Sequence, residues 1–288
     1  MRVFSFSDND NTRRVVCLGR FDGLHKGHSA LIERAKSFCG LELSLFTIKP
    51  VGADRNILSF SELKDRAEAL GVRSLIVAAG DKDFFSTPSE VFLKELFSRF
   101  SVSAVVCGED YTYGAKKSGN TGTLKDFCER SGVRLAVEKT VLQGGEKVSS
   151  TCVRSFLKKG NVKGANELLG YPFYISGEVI RGRGEGRALG FKTANILYPD
   201  YKTELKEGVY ATTTEIFGKA YNSVTNVGTA PTFSSFVPLV ETHVLGFDGD
   251  IYGKNIKVTF NDRIRDTVKF DTTDALKKQI NKDKSYYD

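Results

Sequence analysis

The sequence predicts an α/β protein in two parts, a parallel sheet with crossover helices followed by a small antiparallel barrel or sandwich that one terminal helix finishes. Short apolar runs alternate with helical patterns as far as about residue 170, which is the texture of β-α-β units. Past Gly170-Tyr171-Pro172 the apolar residues recur at every second position, as on strands with one buried face. A chain of 288 residues with 40% apolar content fills two ordinary cores more readily than one large one.

In chain order, "RRVVCLG" reads as the first strand and is followed by a helical pattern from about His28 to Phe38. A strand at "LELSLFTI", a helix at "FSELKDRAEAL" stopped by Gly71, and a strand at "SLIVAAG" come next. In Thr87-Pro88-Ser89-Glu90, Thr87 suits a helix cap, Pro88 the first helical position and Glu90 the reciprocal partner of a capping box. That helix is expected to run to about Phe100. Strand "SAVVCG", helix "LKDFCERSG", strand "VRLAVEKT" and helices after "SST" and in "NVKGANELLG" complete the first part. The second part offers strands at "FYISGEVI", "GVYATTTEIF", "KAYNSVTNVG", "VETHVLGF" and "IKVTFNDRI", a turn at Phe247-Asp248-Gly249-Asp250, and a last helix at "TTDALKKQI". Short strands at regular spacing suit a small barrel or sandwich.

Composition narrows the partners. The net charge of +7 is spread along the chain and favours anionic ligands, nucleotide phosphates as well as a nucleic-acid backbone. No basic helix or Arg/Lys cluster marks a nucleic-acid surface, so nucleic acid is not expected as a partner. The five cysteines are odd in number and form no CxxC; they read as buried thiols of a reducing compartment. "MRVFSFSDNDNTRR" lacks the apolar core of a signal peptide, and no stretch reaches the roughly 18 apolar residues that span a membrane. The expectation is a soluble cytoplasmic protein with no membrane partner and an oligomeric state left open.

Two of the chain's three histidines, His25 and His28, fall in "GRFDGLHKGH" at the handover from first strand to helix. In an open α/β sheet, ligands bind beyond the carboxyl ends of the strands, where a helix N-terminus presents free N–H groups to an anion. Imidazoles there add donors as phosphate charge grows in a transition state. A metal pair is the alternative, but no HExxH glutamate follows and no further His or Cys stands at ligand spacing. A loop whose histidines only satisfy core hydrogen bonds is the other.

These residues resemble the G-x-F-D-G-x-H-x-G-H segment of the bacterial bifunctional riboflavin kinase/FMN adenylyltransferases, the FAD synthetases. The H-x-G-H core alone is shared by nucleotidyltransferases at large. "VVCGEDYTYGAKKSGNTGTL", "VSSTCVRSFLKKGNVKGANELLG", "GRGEGRALGFKTANI", "NVGTAPTF" and "VETHVLGFDGDIYGKNIKVTFNDRIRDTVKF" are similar to later segments of the same family, in its order. The resemblance implies a Rossmann-like nucleotidyltransferase domain at 1–170 and a riboflavin kinase domain at 171–288. It implies that the kinase makes FMN from riboflavin and ATP with Mg²⁺, and that the first domain transfers AMP from ATP to FMN, giving FAD and pyrophosphate.

By motif match, His25 and His28 bind the ATP phosphates, while Gly19, Phe21, Asp22 and Gly27 shape the adenylate pocket. Ser150, Thr151 and Arg154 hold phosphate oxygens, although alone "SST" with an Arg reads as an ordinary capped helix. Asp110 helps to place the flavin, with Tyr111 and Tyr113 replacing the family's usual aromatics, and Asp110 by itself reads equally as a turn residue. In the kinase, Thr193 and Asn195 hold Mg²⁺ and phosphate, Glu241 is the general base, and Gly182, Gly184, Gly186 and Gly190 cover the phosphates with Arg187 among them. Taken alone, the glycines read as a hairpin turn and Glu241 as a solvated strand residue.

The sequence also departs from the family. Lys192 stands where the family has Pro, Ala230 where it has Arg, and Gly246 where Asp is common; the terminal helix stops early. Arg20 replaces a neutral residue, and "FTIKPVGADRN" lacks the usual second Pro and His. The departures around Lys192 leave an alternative in which only the adenylyltransferase is active and the second domain binds flavin or serves structurally.

Overall fold

The computed structural model describes residues 1–49, 55–182, 191–231, 236–270 and 272–287. Gly184, Gly186, Arg187 and Gly190 lie outside them, as does the side chain of Ala230. The chain divides into two compact units, Met1–Ser150 and Thr151–Asp288.

The first unit is built on a six-stranded sheet in the order β1-β4-β3-β2-β5-β6. Its strands are β1 (Arg2–Ser5), β2 (Arg14–Leu18), β3 (Glu42–Ile48), β4 (Ser74–Ala78), β5 (Val102–Gly108) and β6 (Arg134–Glu138), and every pairing is parallel. All five residues of β2 are buried, as a parallel strand with both faces covered requires. Helix α1 (Lys26–Lys36) packs on the Val15/Cys17 face, where Cys17 Sγ lies 3.6 Å from Leu31 O. Helices α4 (Ser89–Phe100) and α5 (Thr121–Arg130) bury Phe92, Leu96, Leu124 and Phe127 with Val16 and Leu18 on the other face. From β2 the chain runs outward through β3 and α2 (Phe60–Ala69) to β4, then returns to β5. The carboxyl ends of β2 and β5 therefore form the point where strand order reverses, the usual ligand crevice of such sheets.

Three features depart from expectation in this unit. Strand β1 and the short helix α3 (Lys82–Ser86) are additions. Thr87 does not cap α4: its hydroxyl donates to Asp83 O at 3.1 Å, closing α3, and Pro88 becomes an N-cap without a side-chain bond. Of the five thiols, Cys17, Cys107 and Cys128 are buried but Cys39 is exposed and Cys152 half-buried. A small hairpin, β7 (Leu142–Gln143) and β8 (Glu146–Lys147), closes the unit.

The second unit opens with α6 (Ser150–Lys158, whose first residue belongs to the first unit) and α7 (Val162–Leu169). The division at 150 thus differs from the boundary expected near 170, because α7 packs on the barrel: Asn166 Nδ2 donates to Phe260 O at 2.9 Å. The barrel order is β10-β13-β12-β11-β14-β9, all antiparallel. The strands are β9 (Tyr174–Glu178), β10 (Ala194–Leu197), β11 (Gly208–Ile216), β12 (Lys219–Pro231), β13 (Phe236–Val244) and β14 (Asn255–Arg265). Ile180 N–H donates to Asn195 O at 2.8 Å and brings the two edges together, so the sheet is a barrel and not a sandwich. Helix α8 (Thr273–Lys284) is capped by Thr272 and held to β14 by the forked Arg265–Asp283 pair.

Candidate functional site

In the first unit the loop after β2 is forced into shape by its backbone. Phe21 and Leu24 both take positive φ (52° and 36°) and are buried, an arrangement that packing must hold in place. Gly23 (φ 83°) has no alternative, since a Cβ there would lie 2.9 Å from Ile57 Cδ1. Asp22 fixes the loop from outside: its carboxylate accepts from Ile57 N at 2.8 Å, and its carbonyl accepts from Ser150 Oγ at 2.7 Å.

The loop delivers the histidines to the start of α1. His25 is the N-cap, and its Nδ1 accepts from His28 N–H at 3.3 Å. The neutral ring therefore carries its proton on Nε2, which is left to donate elsewhere. The rings stack with centroids 3.7 Å apart, and Phe21 lies 4.9 Å from His28 on centroids. Gly27 makes room, because a Cβ would sit 3.1 Å from two atoms of the His25 ring. Burial pushes the His25 pKa down to about 4, and burial together with the neighbouring His25 holds His28 well below the usual range. His28 Nδ1 is buried with no hydrogen-bond partner, the kind of atom that a ligand completes. No metal-binding group of three or more His, Cys, Asp or Glu occurs among the described residues.

Beside this loop, a cleft at the ends of β2 and β3 is lined by Arg20, Phe21, Thr47, Asn56, Ser59 and Phe60. Thr47, Asn56 and Phe60 were not read from the sequence; the signal was the Ser59–Glu62 capping box, which starts α2 at the cleft. Across the crevice, Asp110 pairs with Lys147 of β8 at 2.5 Å, and that bond keeps its carboxyl below the usual range. The hairpin is also held at α1, where Lys26 Nζ donates to Gln143 Oε1 at 3.0 Å. Tyr113 is buried in the core under Gly119, and its hydroxyl bonds Thr123 Oγ1. Tyr111 stacks on it and keeps part of its surface. Thr151 and Arg154 lie in the first two turns of α6, which Ser150 begins.

In the second unit the expected kinase residues converge. Thr193 Oγ1 donates to Glu241 Oε1 at 2.9 Å, and Asn195 is paired with Glu241 in the β10–β13 register. Gly182 packs so closely on Asn195 that a Cβ would come within 2.4 Å of its Nδ2. Gly182, Thr193 and Asn195 line a cavity of about 210 Å³ whose other wall is the segment from Phe247 to Tyr252. Lys192 also lines it and pairs with Asp248 at 2.5 Å. Gly246 stands at φ 71° in the turn after β13, which explains a glycine there.

Two family models divide the chain as these sites do: FAD synthetase matches residues 7–152 and riboflavin kinase residues 169–288. The bifunctional riboflavin kinase/FMN adenylyltransferase of Bacillus subtilis is 34% identical, over 96% of this chain and 92% of that protein. The chain belongs to the bifunctional riboflavin kinase/FMN adenylyltransferase family. The Escherichia coli K12 enzyme of the same name is 32% identical over 93% of this chain and 90% of its own. A crystal structure titled a macrolide-efflux protein from Streptococcus pneumoniae matches with a TM-score of 0.91 at 29% identity, covering 99% of this chain and 98% of that one. Its title names transport, whereas no helix among the described residues is long and apolar enough to cross a membrane; the likeness carried over is the fold. The matches to both family models support the two-activity reading over the adenylyltransferase alone.

Proposed function

We propose that the two reactions of this family are divided between the units, AMP transfer to FMN at the phosphate loop of the first and phosphorylation of riboflavin in the cavity of the second. The observation that carries this is the Thr193–Glu241 bond beside Asn195, which ties a base to the hydroxyl of one cavity-lining residue next to the amide of another.

In the second unit, Thr193 donates its proton to Glu241 Oε1, which orients the carboxylate and leaves Oε2 to accept the proton of the ribityl 5′-hydroxyl as it attacks the γ-phosphorus of ATP. The same bond leaves the Thr193 oxygen lone pairs for a cation, so this donor set fits Mg²⁺, a hard ion bound by few protein oxygens. Thr193 and Asn195 would hold it, and it supplies neutralisation of phosphate charge. In the first unit, the FMN phosphate attacks the α-phosphorus of ATP and pyrophosphate leaves, with no covalent enzyme intermediate. His25 Nε2–H and His28 donate to the phosphates from a desolvated helix start, so catalysis is positioning plus charge stabilisation. Ser150 supports phosphate oxygens, and Asp110 with the exposed part of Tyr111 takes the flavin.

The partners are thus small molecules, and five unpaired thiols support a reducing compartment such as the cytoplasm. Purified chain given riboflavin, ATP and Mg²⁺ is expected to make FMN and then FAD, separated by chromatography. FAD from FMN without FMN from riboflavin would remove the kinase assignment, and no FAD from FMN would remove the other.

A further inference from the structure

We propose that Lys192 is a phosphate-capturing residue of the second unit's cavity, held in reserve by an ion pair with Asp248 that nucleotide phosphate displaces; this rests on reading that cavity as the kinase site. The ammonium is 2.5 Å from Asp248 Oδ1 and 3.5 Å from Asp248 O, joining the segment that leads into β10 to the facing wall. Thr193 and Asn195 are its near neighbours on the same lining, so a phosphate held by them comes within reach of a flexible lysine.

The backbone of this segment is held by packing, while the lysine side chain lies exposed. His243 Nδ1 donates to Lys192 O at 2.8 Å, Phe191 packs edge-on against the His243 ring, and Lys284 Nζ sits 4.4 Å from the Phe191 ring centroid. The lysine and aspartate side chains themselves are 55% and 87% exposed. Such exposed, solvent-screened pairs contribute little, so exchanging one carboxylate for a polyanionic triphosphate is downhill. Asp248 then acts against the nucleotide: it competes for the ammonium, and its charge repels phosphate at the mouth. With Lys in place of the ring of Pro, the segment exchanges a fixed φ for a cation.

A lysine that holds the outer phosphates contacts ATP alike in the bound and transition states, and Lys192 Nζ makes its bonds to Asp248 and none to Glu241. Uniform binding of that kind appears in KM and not in kcat. The test is steady-state riboflavin phosphorylation at varied ATP and ionic strength, with FAD formation from FMN as internal control. Lys192→Ala is expected to raise KM for ATP about fivefold with kcat within about twofold, and to flatten the rise of KM with salt. Asp248→Asn is expected to lower KM for ATP. Asn195→Ala tests the underlying reading separately, since it removes kinase activity whether or not Lys192 takes part. If Asn195→Ala is inactive but Lys192→Ala and Asp248→Asn keep the KM and its salt dependence, the capture role is overturned and the site stands. If Asn195→Ala keeps full activity, the site reading fails and the proposal with it.

Discussion

The two proposed sites offer donors to phosphate by opposite means. At the start of α1 the donors are buried, stacked and uncharged, on a loop whose left-handed residues are locked by packing. At the barrel cavity Lys192 is exposed and already paired with an exposed carboxylate. The first arrangement is strong because desolvation makes each donor count and no reorganisation is needed. The second trades that strength for exchange, since a solvent-screened pair costs little to open.

The largest expected effect separates the two sites. Glu241→Gln is expected to lower FMN formation by about 10²–10⁴-fold, with FAD formation from supplied FMN unchanged; His28→Ala is expected to do the reverse by at least about 10²-fold. Equal loss of both activities in either variant, followed by product chromatography, would break the division of labour.

A stability effect follows in size and belongs to the first unit alone. Arg14 is fully buried, pairs with Asp10, donates to Thr12 O at 3.1 Å, and lies between the Phe4 and Phe100 rings. It ties β1 and α4 to β2 at the end of the sheet away from the histidines. Arg14→Met is expected to destabilise by about 3 kcal/mol, measured by urea denaturation, and to make FAD formation heat-sensitive before FMN formation.

Glycine substitutions sharpen the comparison further. Gly27→Ala crowds His25, and Gly182→Ala drives into Asn195; each is expected to slow its own reaction about tenfold and spare the other.

The smallest effect is on pH. Both imidazoles have depressed pKa values, so between pH 6.5 and about 4 the unfolded chain binds protons that folded His25 refuses. Stability is then complete above pH 6.5 and falls as pH drops through that window. NMR of the imidazoles is expected to show no His25 titration near neutrality in the free protein, and an upward shift on adding pyrophosphate. Ordinary histidine titration without ligand would sink the claim that burial keeps the pair neutral.

What could be read from residues alone follows from local physics. Alternation of period two and apolar runs identified the fold class, while the His25-x-x-His28 spacing and the Thr193-Ala194-Asn195 segment marked where the two sites are proposed, because periodicity and motif spacing are properties of neighbouring residues. Strand β1 escaped notice: four residues of mixed exposure gain a partner only when β4 arrives from far along the chain. The capping of α4 was misread because Thr87 had two local uses, and the preceding turn took it. The packing of Gly119 on the Tyr113 ring could not be read either, because it needs the turn between them to close.

The sequence by itself determined that two histidines stand at a strand-to-helix handover and that a Thr-Ala-Asn segment and Glu241 lie in the strand-rich second half. Only tertiary structure decided that His25 spends its Nδ1 on a cap and keeps Nε2–H to donate, that Glu241 is oriented by Thr193, and that Lys192 is engaged by Asp248. Carboxylate orientation and charge pairing are set by atoms brought together across many residues of chain, and the His25 proton by a three-residue cap whose geometry a loop of positive-φ residues supplies; no sequence pattern encodes either.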